Sequence, residues 1–415
     1  MRSTGRGATQ QSSAPYNRRV VLDFIRQHGA VSRKDIVDMV SLSPQTVANS
    51  TNDLEAIGLI VSRRLKAEKT RGQPPIAFEL NPDAGAAIGI SLEPGRASAA
   101  LVNLVGDVRL RVDRQVDTGD RSAILAGMLD LVSQLRKASR ERLWGIGVAL
   151  PGPLGATELS FVGPTALEGW ADLSVLDELR DITGLPLFYS VDSVAGALGE
   201  TLFGVAKSLD NFFYLHFGLG LGGALVVNRA AYHGANGNAT EIGHVPLVPG
   251  GRPCYCGNAG CLERYLSMHS LAEAMGVDDK QVWALPIEQL LREGTNSAFT
   301  AWCREAAERL RDAVCLIENM LDPRAIVIGG SAPKPLVEHL LALAQPLRHS
   351  VRGGLAGAGE PAERIVLSQW QDDSSILGAA VLPIYEMLSP RLEVLQQERR
   401  TEVDVADLLG HPGIK

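Results

Sequence analysis

The sequence predicts an α/β protein in which a small basic head precedes a larger acidic body. Three observations predict it. Residues 16–80 read as three helices followed by two short strands. From Ala86 onward, short apolar strands alternate with helices. Between Glu241 and Glu263, a loop rich in Gly and Pro crowds three cysteines and a histidine together. The 415 residues are enough for two or three domains, and a hydrophobic content of 45% is ample for a packed core. Charge divides along the same boundary. Residues 1–80 hold 12 Lys/Arg against 7 Asp/Glu, so they carry +5, and the remainder carries −12 of the net −7. That is the balance of a module that meets a polyanion, mounted on a body that does not.

No apolar run reaches the roughly 18 residues that would span a membrane. The opening MRSTGRGATQQSSAP has no apolar core, so residues 1–15 read as a disordered lead and not as a secretory signal. Three of the five cysteines lie in one loop. A reducing cytoplasm is therefore the expected compartment, in preference to a disulfide scaffold.

In the head, YNRRVVLDFIRQH places Val20, Val21, Phe24 and Ile25 on one helical face, and Gly29 ends the helix. Ser32 can cap RKDIVDMV. After the turn SLS, Ser43 stands at an N-cap and Pro44 at the first position of a third helix, PQTVANSTNDLEAI, with Val47, Leu54 and Ile57 as its core face. Helix, turn, helix with these lengths is the DNA-reading motif. LIVSRR and PIAFELN then form a hairpin wing around the basic LKAEKTRGQP. The third helix is expected to expose Gln45, Thr46, Asn49, Ser50 and Asn52, short hydrogen-bonding side chains suited to base edges. Arg63, Arg64, Lys66, Lys69 and Arg71 suit phosphates or the minor groove. The plainer reading of the segment is a small helical interaction domain.

In the body, AAIGISL, ASAALVNL and VRLRVDR read as consecutive strands, with a helix at about Arg121–Ser139. WGIGVALPGPLG is a buried strand running into a turn. LPLFYSVDSVAGALGETLFG is a strand ending at Asp192 and then a helix. NFFYLHFGLGLGGALVVN opens a second, similar half.

The knuckle gathers His244, Cys254, Cys256 and Cys261 among Gly250, Gly251, Gly257, Gly260, Pro246, Pro249 and Pro253, a composition that excludes a regular helix or strand. Three thiols and an imidazole match a closed, structural zinc site. The alternatives are three unrelated buried thiols, or a disulfide with a spare.

This stretch resembles the signature of the ROK family of sugar kinases and sugar-responsive repressors. Its E-x-G-H is Glu241–His244, and its C-x-C-G-x-x-G-C-x-E runs from Cys254 to Glu263. The resemblance extends from about Tyr16 to about Pro390 and includes the G-x-P-P of the repressor heads at Gly72–Pro75. It implies a winged helix-turn-helix domain at 16–82 and a two-lobed, actin-like (ribonuclease H-like) body. The lobes are expected at 83–200 and 201–390. The second would carry the zinc knuckle, RAIVIGG delivering a Gly pair to the cleft, and a closing helix in DDSSILGAAVLPIYEML. Residues 391–415 remain a tail without a motif. Asp192, Glu241, His244 and Glu263 match family residues that hold sugar hydroxyls, with His244 using one ring nitrogen on zinc and the other toward the ligand. Asp192 is also placed to N-cap the helix that follows it, and both roles can hold.

Kinases of this family need a D-x-G-G-T phosphate loop, a G-T-G-x-G-G-G loop and an Asp base, because phosphoryl transfer depends on charge neutralisation and backbone N–H cradles. Here the first loop reads Ser91-Leu92-Glu93-Pro94-Gly95, and Leu219 replaces the Thr of the second. Pro94 removes a donor and Glu93 adds negative charge, so no phosphoryl transfer is expected. Three departures fall on the sugar side: Val191 for Asn, Thr240 for Gly, and Pro164-Thr165-Ala166 before Gly169-Trp170 without the usual Asn. The implied protein is a transcriptional regulator, a repressor, of carbohydrate uptake or catabolism genes. Its partners would be a pseudo-palindromic operator DNA and a sugar or sugar derivative, with no membrane, and its assembly a homodimer or a tetramer. The competing readings are a regulator controlled by a partner protein and an ATP-dependent sugar kinase with an added head.

Overall fold

The computed structural model describes residues 10–64, 76–153, 163–165, 167, 173–351, 363–370 and 373–390. In the head, α1 (Gln10–His28) buries Val21, Phe24 and Ile25, as the spacing predicts, whereas Val20 is only half-buried. It begins six residues earlier than expected, so residues 10–15 of the expected disordered lead are helical. Pro15 sits inside the helix, in its second turn, where it has no N–H to give to the backbone ladder. Helix α2 (Arg33–Met39) opens on a reciprocal cap. The Ser32 hydroxyl accepts from Asp35 N, and the Asp35 carboxylate accepts from Ser32 N at 2.8 Å. Helix α3 (Pro44–Ala56) opens on Ser43, whose hydroxyl accepts from Thr46 N at 3.1 Å. Strands β1 (Val31–Ser32), β2 (Ile60–Arg64) and β3 (Ile76–Leu80) form an antiparallel sheet in the order β1-β3-β2. Gly72–Pro75, Lys66, Lys69 and Arg71 lie outside the described residues.

The body holds two sheets of one design. The first comprises β4 (Ala86–Glu93), β5 (Arg96–Asn103), β6 (Val108–Gln115), β7 (Leu143–Leu150) and β8 (Leu187–Val191), in the order β6-β5-β4-β7-β8. β4, β5 and β6 form an antiparallel meander, and β7 and β8 join in parallel. Helices α4 (Arg121–Ala138) and α5 (Ser174–Thr183) share the apolar core of this sheet. Helix α6 (Asp192–Leu202) leads to the second sheet, made of β9 (Phe212–Phe217), β10 (Leu221–Val227), β11 (Ala230–Ala231), β12 (Ile326–Gly330) and β13 (Ile365–Leu367). Its order is β11-β10-β9-β12-β13, again antiparallel on one side and parallel on the other. Around it lie α7 (Met268–Met275), α8 (Ile287–Glu293), the long α9 (Ser297–Leu321) and α10 (Lys334–Leu343).

The closing helix α11 (Ser374–Leu388) follows the second sheet in sequence and crosses back to the first. It packs on β4, β5 and β7 of the first sheet, while α6 packs on β9 and β10 of the second. Each lobe thus lends a helix to the space between the sheets. The crossing is tight: a Cβ on Gly378 would lie 2.4 Å from Ala195 O, and one on Gly147 only 1.8 Å from Ala379 O. Only glycine lets these backbones meet.

The head is joined to the ends of these two helices. Arg19 of α1 donates to Met387 O, at the end of α11, at 3.0 Å. The Arg26 guanidinium donates to Leu202 O, the last residue of α6. Both bonds satisfy carbonyls that a helix C-terminus leaves unpaired. The apolar core is continuous across the joint, from Val21, Ile25 and Leu54 to Phe203, Leu382 and Leu388. No described helix is long and apolar enough to cross a membrane.

Candidate functional site

Between β10 and α7 the chain has few regular elements. Two single helical turns, at Ile242–His244 and Leu262–Arg264, carry its functional side chains. The loop is drawn tight by Cys254 N donating to Asn258 O at 2.8 Å and Val248 N donating to Gly260 O at 3.0 Å. Gly260, at φ 82, could not be another residue, since a Cβ there would lie 1.7 Å from Val248 O. This folding brings one ligand atom each from His244, Cys254, Cys256 and Cys261 within 4.8 Å of one another. The Cys256 and Cys261 sulfurs are 3.6 Å apart, and Cys254 Sγ is 3.6 Å from His244 Nδ1. A tetrahedral ion with bonds of about 2.3 Å to sulfur would set thiols about 3.7 Å apart, so the four groups fit one metal ion.

The same two turns line a cleft between the sheets. Glu241 and His244 enter from the first turn and Glu263 from the second. Asp192 comes from the start of α6. Glu263 is buried, and its Oε2 accepts from Leu221 N at 2.8 Å. Asp192 does not N-cap α6: Val191 is the cap, and Asp192, one residue further in, accepts from Ser193 N at 2.6 Å. The cap reading assumed a helix one residue shorter. The Glu241 carboxyl is pushed up to about 7, first by burial and then by the neighbouring Asp192 and Glu263 carboxylates. Among the described residues no Lys or Arg lines the cleft, and the space between its walls is about 60 Å³, room for a few water molecules.

Raising pH through 7 charges Glu241 against that environment. A neutral Glu241 stabilises the fold fully below the unfolded value of 4.5, and this contribution is lost as pH rises through 7. Glu241→Gln, which is always neutral, is therefore expected to match wild type at pH 4 and to exceed it at pH 8 by at most about 3 kcal/mol. Denaturant titrations across this range check the sign; a Gln variant less stable at pH 8 would contradict it.

The sequence reading overlooked His216. It lies on β9, is 4% exposed and lines the cleft, with Nε2 3.5 Å from Asp192 Oδ2. The sole signal was a lone polar residue in the apolar strand FFYLHF. Thr240, where the family pattern has Gly, adopts φ 68, a conformation costly for a β-branched residue, and its hydroxyl donates to Gly223 O at 2.8 Å.

The two phosphate-loop positions also have concrete shapes. Glu93 pairs with Arg96 across a Pro94-Gly95 turn with Gly95 at φ 80, so a tight hairpin replaces a phosphate cradle. Leu219 is buried in the apolar core of the second lobe. Thr165 lines the cleft, whereas Ala166, Gly169 and Trp170 lie outside the described residues.

In the head, Gln45, Asn49 and Asn52 are exposed on α3 and Thr46 is half-buried. Gln45 donates to Asn49 at 2.8 Å, and Asn52 accepts from Arg33. Ser50 was expected on this face but is buried, 4% exposed. It stands three residues after Val47 and four before Leu54, which is the core side of the helix. Arg63 and Arg64 are exposed on β2, and Arg63 pairs with Glu79 at 3.0 Å.

Comparison with known proteins places this geometry. Residues 87–385 match the family described as ROK. A xylose repressor of Caldicellulosiruptor bescii is 28% identical over 391 residues, spanning 90% of this chain and 96% of the relative. A glucokinase of Halalkalibacterium halodurans is 30% identical over 285 residues, 62% of this chain and 86% of that enzyme. The solved structure of a ROK family transcriptional regulator, a homologue of the Escherichia coli Mlc protein, superposes with a TM-score of 0.69 at 24% identity, covering 93% of this chain and all of that one.

Proposed function

The chain belongs to the ROK family, and from that premise we propose that it is a DNA-binding transcriptional repressor of sugar uptake or catabolism genes, controlled by a sugar in the interlobe cleft. The observation that carries this reading is a pairing. A helical head with a capped third helix is joined to a body whose cleft presents carboxylates and imidazoles and no described cation. Such a cleft repels phosphates and suits a neutral polyol, whose hydroxyls donate to carboxylates.

The family also includes sugar kinases. Against that activity here stand Pro94, which offers no N–H, the negative Glu93, and the buried, apolar Leu219, which has no hydroxyl. The head is read as a winged helix-turn-helix. In it Gln45, Thr46, Asn49 and Asn52 would read base edges and Arg63 and Arg64 would meet phosphates, a role read for Lys66, Lys69 and Arg71 from their sequence alone. Two heads on a homodimer would match a pseudo-palindromic operator with half-sites about one helical turn apart, or a multiple of that.

His244, Cys254, Cys256 and Cys261 are read as ligands of zinc, which supplies a structural cross-link when bound. His244 turns Nδ1 toward the thiols, so the metal side of its ring is fixed and the ring stands in one orientation at the cleft wall. Asp192, Glu241 and Glu263 are read as the acceptors of sugar hydroxyls. Asp192 reaches the cleft from α6, and Glu241 and Glu263 reach it from the knuckle turns, so a sugar held by all three would favour one lobe spacing over others. A ligand preferred by one spacing shifts the population toward it.

D-xylose is the first sugar to test, given the repressor relative. A coupling of about 1–3 kcal/mol would change operator affinity by about 5–150-fold. Asp192→Ala and Glu241→Ala are expected to retain operator binding and lose this response in fluorescence anisotropy titrations. Two variants that respond like wild type would remove the cleft from the sensor role and leave control by a partner protein as the better reading.

A further inference from the structure

His216 occupies a position that the family motifs leave unassigned. It is 4% exposed, lines the cleft, and its Nδ1 has no hydrogen-bond partner among the described residues. A neutral imidazole carries one proton. With nothing to accept at Nδ1 and the Asp192 carboxylate 3.5 Å from Nε2, that proton belongs on Nε2. At 3.5 Å the pair is at the outer limit of a hydrogen bond, so neither group is saturated by the other. Space beside Nε2 is also kept open, since a Cβ on Gly218 would lie 3.1 Å from it. On the other flank of Asp192 stands Val191, which has no side-chain donor or acceptor.

We propose that His216 is a specificity-determining residue of the cleft: His216 and Asp192 together read one ligand hydroxyl. The hydroxyl donates its proton to Asp192 Oδ2 and accepts one from His216 Nε2. A hydroxyl is the smallest group that can do both, and a deoxy position can do neither. The pair thereby supplies hydrogen bonding that Val191 cannot. This inference rests on the reading of the cleft as a sugar site and specifies how that site selects.

The test uses the full-length protein and calorimetric titration with D-xylose, D-glucose and their monodeoxy derivatives. His216→Leu removes both nitrogens. His216→Gln keeps an N–H near the place of Nε2. For the sugar that wild type binds best, His216→Leu is expected to weaken binding by about 10–100-fold. It should also erase the discrimination against one particular deoxy derivative, because the group that rejects it is gone. His216→Gln is expected to restore most of both, and operator affinity without sugar should be unchanged in each variant. Undiminished discrimination in His216→Leu, or a Gln variant as impaired as the Leu variant, would overturn the proposal, the latter by marking a packing role. If wild type binds none of these sugars, the sensor reading falls and this inference with it. If wild type binds one and His216→Leu binds it equally well, only the inference falls.

Discussion

Replacing Gln45 and Asn49 together by glutamate is expected to lower operator affinity by about a thousandfold or more. Both side chains are exposed in the first half of α3, the end that would meet base edges under the proposed reading of the head. Two carboxylates there would face the phosphate-lined groove, lose their base contacts and repel the backbone. The loss of specific binding is worth about three decades or more. Sugar binding and metal content should be unchanged. Deleting residues 1–82 is the cruder version, because Val21, Ile25 and Leu54 share a core with Phe203 and Leu388 of the body, and the cut uncovers that surface. Electrophoretic mobility shifts at two salt concentrations measure both. A double variant with wild-type affinity, or a truncated body that retains the operator specifically, would place DNA recognition elsewhere.

Cys261→Ser is expected to reduce bound zinc from about one per chain to near none and to lower the thermal midpoint by on the order of 10 °C. Cys261 is fully buried, its sulfur is 3.6 Å from that of Cys256, and it pairs in a short bridge with Pro246. Serine keeps the shape but is a poor ligand for a site of this type. The damage should reach the cleft, since Glu263 lies two residues beyond Cys261 and Glu241 three before His244. Sugar affinity should therefore fall as well. Metal analysis and calorimetry read both effects, and a zinc-free wild type of full stability would refute the assignment.

Local spacing made much of this molecule legible. Ser32 and Ser43 mark helix starts through a bond to the residue three positions on, Pro44 supports the second, and both of these starts are where the pattern puts them. The four candidate metal-binding residues lie close in sequence, so their meeting needed only a tight loop. Long-range partners were harder. Nothing in the composition of α11, buried on nearly every side, says which sheet it faces. Ser50 is polar and so looks like a surface residue, although Val47 and Leu54 fix the helical phase that buries it. His216 was hidden by the apolar strand around it, since a strand pattern says which residues go inward but not that the inside is a ligand cleft. Helix α9, 25 residues long, carries no motif, and only the helical spacing of Phe299, Trp302, Ala306 and Leu310 marks it.

Helix α6 is a rod of 11 residues, about 16 Å long. Asp192 forms its first turn, and Leu202, gripped by Arg26, forms its last. Every residue from Ser193 to Leu202 is buried, so the rod has little room to bend and passes an axial slide from one end to the other. Helix α11 is a second rail, held by Arg19. The two arginines are seven residues apart on α1, a lever arm of about 10 Å. A slide of 1 Å between the rails would therefore tilt α1 by about 6°, and α3, packed against it, would turn with it.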